Sequence, residues 1–446
     1  MKDKEILKDR EIALKILHTI DTKDAYSNLT INSELKDKNL SSLDRGFITE
    51  LVYGTLENSI YIDYIISKFS TTKLNKINKW TINILRLGIY QIMFLDKVPD
   101  FAAVNESVNL AKKYSIKTAG FTNAILRNVL RNKENIELPD KKKEFVKYLS
   151  IKYSHAEWMV NRFLTYFTKE FTEDLLKANN ERPDFYLRIN TLKTSIEDCI
   201  KSLSEKNIEV KRNEKIAEAI TVKGINQLEE LEEFKAGLIH VQDFGSMLVS
   251  RVLNPQEGEY IVDVCCAPGG KTTHMAQLMN NKGKILARDV YEHKLRLVKN
   301  NAKRLGVNII QTEEFDGMKL DKNLIGKADK VLVDAPCSGL GIIRRKPEIK
   351  YRKKADDLTE LRKMQLSILN NASEYVKPNG ELIYSTCTID PNENESVIEE
   401  FLKGKSNYKL MDIEGFDEFK RKDGTIQLYP NVHNTDGFYI ARLKRV

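Results

Sequence analysis

Cysteine is scarce and unpatterned in this chain. There are five in 446 residues, an odd number, with no C-x-x-C and no histidine at zinc spacing, which argues against a disulfide framework and a structural metal. Packing and thiol chemistry remain. No apolar run approaches the roughly 18 residues that a bilayer span needs, and the opening Met-Lys-Asp-Lys-Glu does not read as a signal peptide. A cytoplasmic protein with no membrane partner is expected. Internal repeats and low-complexity tracts are also missing. The one strand-turn-helix rich in glycine lacks the G-x-G-x-x-G spacing, so a dinucleotide is not the favoured ligand. What is present is ordinary for globular protein: 41% hydrophobic and 30% charged residues, enough chain for two to four domains. The net charge of +8 suits a polyanionic partner, although a lysine-rich proteome gives the same balance.

Residues 1–135 read as all-helical. Ile12, Ala13, Ile16, Leu17 and Ile20 recur at helical spacing, as do Phe47, Leu51, Val52 and Leu56. The stretch 80–94 is apolar on most faces, which predicts a central buried helix. Two further helices are expected at 102–114 and 118–131. A polar linker with Pro139 follows, then a small mixed α/β module over 144–237. Its expected helices lie at 156–167, 170–179 and 195–206, and its strands near 185–189, 208–211 and 219–222. Cys199 falls on the third helix and reads as structural. From 238 to 446 strands and helices alternate regularly, with strands at 260–264, 284–287, 309–311, 330–333, 381–385 and 439–443. That pattern predicts a doubly wound, mostly parallel Rossmann-like sheet.

In such sheets ligands sit beyond the carboxyl ends of the strands. The unusual residues of this chain fall there: Asp263-Val264-Cys265 after the first strand, Asp289 after the second, Asp316 after the third, Asp334-Ala335-Pro336-Cys337 after the fourth, and Thr386-Cys387 after the fifth. In the turn Cys265-Cys266-Ala267-Pro268-Gly269-Gly270-Lys271 the glycines leave room for a ligand against the backbone, and the helix that follows offers free N–H groups. Asp289 is placed where an acid accepts from a ribose diol. Cys337 and Cys387 face one site if their strands are neighbours, and a thiolate is the strongest soft nucleophile that a side chain offers. Between them runs a basic stretch, Arg344, Arg345, Lys346, Lys350, Arg352, Lys353 and Lys354, with Tyr351 among them and Glu348 alone opposing. It reads as a polynucleotide grip beside the site or, more plainly, as a solvated face.

Two resemblances sharpen this reading. Asp44-Arg45-Gly46, Arg86-Leu87-Gly88-Ile89-Tyr90-Gln91 and Gly120-Phe121-Thr122-Asn123-Ala124-Ile125-Leu126-Arg127 resemble the RNA-binding helical domain of the NusB type. Asp263 to Thr272, Asp334-Ala335-Pro336-Cys337-Ser338 and Ser385-Thr386-Cys387 resemble the Nop2/Sun family of RNA 5-methylcytosine methyltransferases. Leu187-Arg188-Ile189-Asn190, Arg344-Arg345-Lys346-Pro347, Pro391-Asn392-Glu393-Asn394-Glu395 and Asp436-Gly437-Phe438-Tyr439-Ile440-Ala441 are flanking matches. Cys266 departs from the family, which usually has alanine there. The resemblance implies S-adenosylmethionine as cofactor and 16S ribosomal RNA, before full subunit assembly, as partner of a monomer. Transfer RNA or another ribosomal site is the alternative substrate, and a non-catalytic NusB-like RNA-binding factor the alternative class. By resemblance Cys387 attacks cytosine C6, Cys337 assists release, and Asp334 binds the base edge at the catalytic centre and borders the cofactor. Residues 265–271 cradle the methionine moiety, Asp289 the ribose and Asp316 the adenine edge. Arg344, Arg345 and Lys346 are the RNA contacts.

Overall fold

The helix Lys79–Phe94 is the spine of the N-terminal region. Asn78 caps it by accepting from the Thr81 N–H, and Ile82, Ile84, Leu85, Leu87, Ile89 and Ile92 are all buried. Gly88 allows the next two helices to close on it: a Cβ there would lie 2.7 Å from Ser107 Oγ and 3.0 Å from a Leu126 methyl. Those helices are Asp100–Tyr114 and Ala119–Asn132. Lys2–Lys23 and Ser42–Glu57 complete the expected set, the latter started by a reciprocal Ser41–Asp44 capping box. Two more helices, Ser27–Leu35 and Ser59–Phe69, are not resolved by periodicity. The first is short and mixed, and only Asn58 separates the second from its predecessor.

The computed structural model describes residues 2–23, 25–36, 38–225 and 227–446 and falls into two units. One comprises 1–180 with 343–353, the other 181–342 with 354–446. Two features of this division were not read from the sequence. Helices Phe145–Tyr153, Glu157–Tyr166 and Lys169–Ala178 pack within the first unit, and the strands that follow them lie in the second. These helices are tied to the NusB-like helices at Ser154 Oγ, which accepts from Tyr61 N at 2.9 Å.

The second feature concerns the basic run. Residues 343–353 leave the α/β sequence and fold into the helical unit. Glu348 is buried and accepts from Ser27 N and Ser27 Oγ at 3.0 and 2.9 Å. Lys350 is fully buried and donates to Glu57 O at 3.0 Å and to Asn180 Oδ1. Arg352 donates to Ile20 O at 2.6 Å. The run is therefore not a continuous solvated stripe, because Glu348, Lys350 and Arg352 are bonded within the helical unit.

The second unit holds two sheets. Strands β1 (Tyr186–Ile189), β2 (Glu209–Arg212), β3 (Ala219–Lys223) and β4 (Ile239–Val241) form an antiparallel sheet in the order β2-β3-β1-β4. Cys199 is buried in its core with Leu187, Ile189 and Leu203. The larger sheet is built from β5 (Tyr260–Asp263), β6 (Lys284–Asp289), β7 (Ile310–Glu314), β8 (Ala328–Asp334), β9 (Val376–Thr386), β10 (Tyr408–Met411), β11 (Ile426–Leu428) and β12 (Phe438–Arg445). Its order is β10-β12-β9-β8-β5-β6-β7, with β11 on β12. The strands from β7 to β9 are parallel, and β12 runs antiparallel to β9. Alternate residues feed opposite cores: Ile261, Ile285, Leu332 and Ile383 on one face, Val262, Leu286, Val331 and Leu382 on the other. Helices cover both faces, which is why these strands read as unbroken apolar runs.

Candidate functional site

The chain leaves β5 in one direction to form β6 and β7, then crosses back to form β8 and β9 on the other side. The carboxyl ends of β5 and β8 thus border the switch point where such sheets open a crevice. The expected residues converge on this edge of the second unit, Arg344, Arg345 and Lys346 excepted.

The turn after β5 is held from several sides. Cys266 N donates to Arg288 O at 2.8 Å, and Gly269 N donates to Cys266 O at 2.8 Å. Gly269 has φ +99°, and a Cβ there would press on Val298 at 3.1 Å, so only glycine fits. Thr272 Oγ1 donates to Asp263 Oδ2 at 2.7 Å. Asn301 Nδ2 donates to Pro268 O at 3.0 Å. From the small sheet the fully buried Arg188 donates to Gly270 O at 2.8 Å and to Thr273 Oγ1 at 3.0 Å. Burial holds its guanidinium down to about 9. Burial likewise raises the Asp263 carboxyl to about 7, with Asp334 adding to the shift and the Thr272 bond opposing it.

Asp289 closes β6, and its Oδ1 accepts from Tyr291 N at 3.0 Å. Phe315 N donates to Asp289 O at 3.1 Å, which brings Asp316 alongside; Asp316 Oδ1 accepts from Met318 N at 3.0 Å. Asp289 therefore ends β6, and Asp316 lies just past the end of β7.

At the adjoining ends of β8 and β9, Asp334 pairs in register with Ser385, whose Oγ donates to Asp334 Oδ1 at 2.8 Å. Lys271 reaches across to Asp334 Oδ2 at 2.6 Å, with its ammonium 5.0 Å from the Phe438 ring centroid. Desolvation pushes the Lys271 pKa down, but the charge and hydrogen bond of Asp334 outweigh it and Cys387 adds to the rise, so the net shift is upward. Lys271, which the resemblance puts in the methionine cradle, thus has its charge on Asp334 and near Cys387.

Cys337 Sγ and Cys387 Sγ lie 3.1 Å apart. The hydrogen bond to Cys387 and burial raise the Cys337 thiol well above its ordinary value. Burial and nearby carboxylates do the same to Cys265 and Cys266, so those two stay protonated. Of the basic trio, Arg344 is buried, whereas Arg345 and Lys346 are half-buried; all three lie in the helical unit, where the Lys346 ammonium sits 5.2 Å from the Tyr26 ring. Among the described residues no group of three or more His, Cys, Asp or Glu side chains is placed to hold a metal, and no helix is long and apolar enough to cross a membrane.

Three family models match successive parts of the chain. The family described as "16S rRNA methyltransferase RsmB/F" matches residues 250–444, the NusB family matches 7–131, and the RsmF/B-like ferredoxin-like domain matches 155–229. The "probable ribosomal RNA small subunit methyltransferase B" of Bacillus subtilis (strain 168) is 38% identical over 98% of each chain. The crystal structure of PH0851 is 29% identical and covers 98% of this chain and 99% of that one, with a TM-score of 0.86. NSun6 from Pyrococcus horikoshii, solved with SFG, is 26% identical over 65% of this chain and 97% of its own, with a TM-score of 0.59.

Proposed function

Since the chain belongs to the ribosomal RNA small subunit methyltransferase B family, we propose that it methylates C5 of a cytosine in 16S ribosomal RNA, with S-adenosylmethionine as donor and a covalent Cys387–C6 adduct as intermediate. The observation that carries this reading is the pair of thiols 3.1 Å apart at adjacent strand ends, beside a partly buried Lys271–Asp334 ion pair. A binding protein needs neither thiol.

The residues present fit the cofactor. A glycine-only turn lets a ligand approach the backbone, and Asp289 and Asp316 supply acceptors for a ribose diol and an adenine edge. The solved NSun6 holds SFG, an analogue of S-adenosylmethionine. When bound, the cofactor supplies an electrophilic methyl group. Cytosine C5 is a weak carbon nucleophile, so the chain's task is to raise its electron density. The Cys387 thiolate adds to C6, and the displaced electron pair makes C5 enamine-like. C5 then takes the methyl group, a base removes the C5 proton, and the returning electrons expel the Cys387 thiolate. Lys271 supplies positive charge beside the thiolate, Asp334 binds the cytosine N3/N4 edge, and Cys337 assists release. A base inside a stem cannot reach such a crevice, so the target is looped or flipped out. The helical unit grips the RNA, with Arg345 and Lys346 as contacts; Arg344, being buried, serves the fold.

Denaturing gels with unmodified 16S RNA and cofactor test the assignment. Cys387→Ala is expected to bind RNA without forming an adduct. Cys337→Ala is expected to retain RNA covalently, stalled before elimination. The reverse pattern exchanges the two roles, and full turnover in both variants ends the thiol mechanism. Bisulfite sequencing of total RNA from a deletion strain separates 16S RNA from transfer RNA as the substrate.

A further inference from the structure

Behind the two thiols lies a buried carboxylate that methyl transfer does not itself use. Glu393 is fully buried, in the loop between β9 and the helix Glu395–Gly404. Its Oε1 accepts from Ser338 Oγ at 2.5 Å and Thr388 Oγ1 at 3.2 Å. Its Oε2 accepts from Ser338 N at 2.8 Å and Gln365 Nε2 at 2.9 Å. Ser338 directly follows Cys337, and Thr388 directly follows Cys387. Gln365 Nε2 also donates to Pro336 O at 2.9 Å, on the other side of Cys337. Ser338 Oγ and Thr388 Oγ1 are 2.9 Å apart, and Gly341 N donates to Cys387 O at 3.0 Å. One carboxylate is thus the hub through which both thiol-bearing loops are joined.

Such a hub is expensive as a stability device. Burial pushes the Glu393 carboxyl up, against the bonds from Ser338 and Gln365, and an apolar core of the same shape commonly serves stability as well or better. Four donors meeting two oxygens match an acceptor-only carboxylate. What this arrangement supplies, and an apolar patch does not, is a fixed register between two backbones. Reacting groups need that, because a misplacement of about 1 Å is enough to cost on the order of a hundredfold in rate.

We propose that Glu393 is a positioning residue: it sets the Cys337–Cys387 spacing through Ser338 and Thr388, and thereby governs thiol attack and release rather than RNA binding. This rests on the thiol reading above. Glu393→Gln keeps the shape but turns one acceptor into a donor facing donors. In the full chain, with cofactor and unmodified 16S RNA, kcat is expected to fall about a hundredfold, with KM for RNA and cofactor affinity held within about twofold. In single turnover, Cys337→Ala/Glu393→Gln is expected to form the adduct slower than Cys337→Ala by a similar factor. Equal adduct rates with unchanged kcat overturn the positioning role while leaving the thiol mechanism intact. No adduct from Cys337→Ala alone overturns both. Thr388→Val removes one link without adding a donor and is expected to lower kcat roughly tenfold, the scale of one hydrogen bond. If Glu393→Gln does not fold, that variant decides, and an unchanged kcat in it overturns the proposal.

Discussion

Asp289 shows how much a single side chain can be asked to do. Its Oδ1 accepts from Tyr291 N, which orients the carboxylate at the end of β6, and the proposed ribose contact asks the same group to accept from a diol. Asp289→Ala is expected to weaken S-adenosylmethionine by about 1–3 kcal/mol, the scale of a lost hydrogen bond to a charged group, with RNA affinity unchanged; isothermal calorimetry with each ligand checks both halves. Asp289 was legible in the sequence because an acid just past a strand has few places to go. The neighbouring thiols were legible for the same reason, since strand order in a doubly wound sheet puts β8 beside β9. The Lys271–Asp334 pair was not. Lys271 was read with the rest of the turn as part of the methionine cradle, and spacing does not say where a long flexible side chain ends. Glu393 was hidden differently: Pro391-Asn392-Glu393-Asn394-Glu395 has the composition of a solvated loop, and only its tertiary donors make it a buried hub.

Elements that bury apolar residues on a regular period were read nearly to their ends, as Lys79–Phe94, β5 and β6 show. Short edge pieces such as β4, β10 and β11 were not, because three or four residues carry too little pattern and owe their pairing to neighbours distant in sequence. The segment 343–353 is the extreme case: its charges advertised a surface, yet Lys350 is fully buried. Burial pushes the Lys350 ammonium down to about 7, with Glu57 opposing. A lysine whose folded pKa lies below its unfolded value binds fewer protons in the fold between those two values. Stability of the helical unit therefore rises as pH climbs from about 7 toward about 10.5, and the gain is lost again as pH falls to 7. Glu57, whose carboxyl burial raises, contributes in the opposite sense, from about 4.5 upward. Between pH 7 and 9 the Lys350 effect is expected to be about 1–3 kcal/mol. Thermal melts of the parent at the two pH values should show the rise, and Lys350→Met should flatten it.

At the scale of the whole molecule, the two units are not consecutive stretches of chain. Residues 343–353 belong with 1–180, although Ser338–Ile342 alone separates them from Cys337. A chain begun at residue 181 is therefore expected to expose Ile343 and Ile349, both buried in the full protein, and to aggregate. Replacing 343–353 by a short polar linker should restore solubility and S-adenosylmethionine binding while RNA affinity falls. Gel filtration and calorimetry on the two truncations check this, and a soluble unmodified truncation would show that the segment needs no cover. The same interleaving bears on how the protein is made. The helical unit cannot fill its own interior when residue 180 leaves the ribosome, because Glu348 and Lys350 have not yet been translated. At ordinary elongation rates the missing piece follows on the order of 10–30 s later. Throughout that interval Ser27, Glu57 and Asn180 wait for partners that arrive only after the first thiol of the site has emerged.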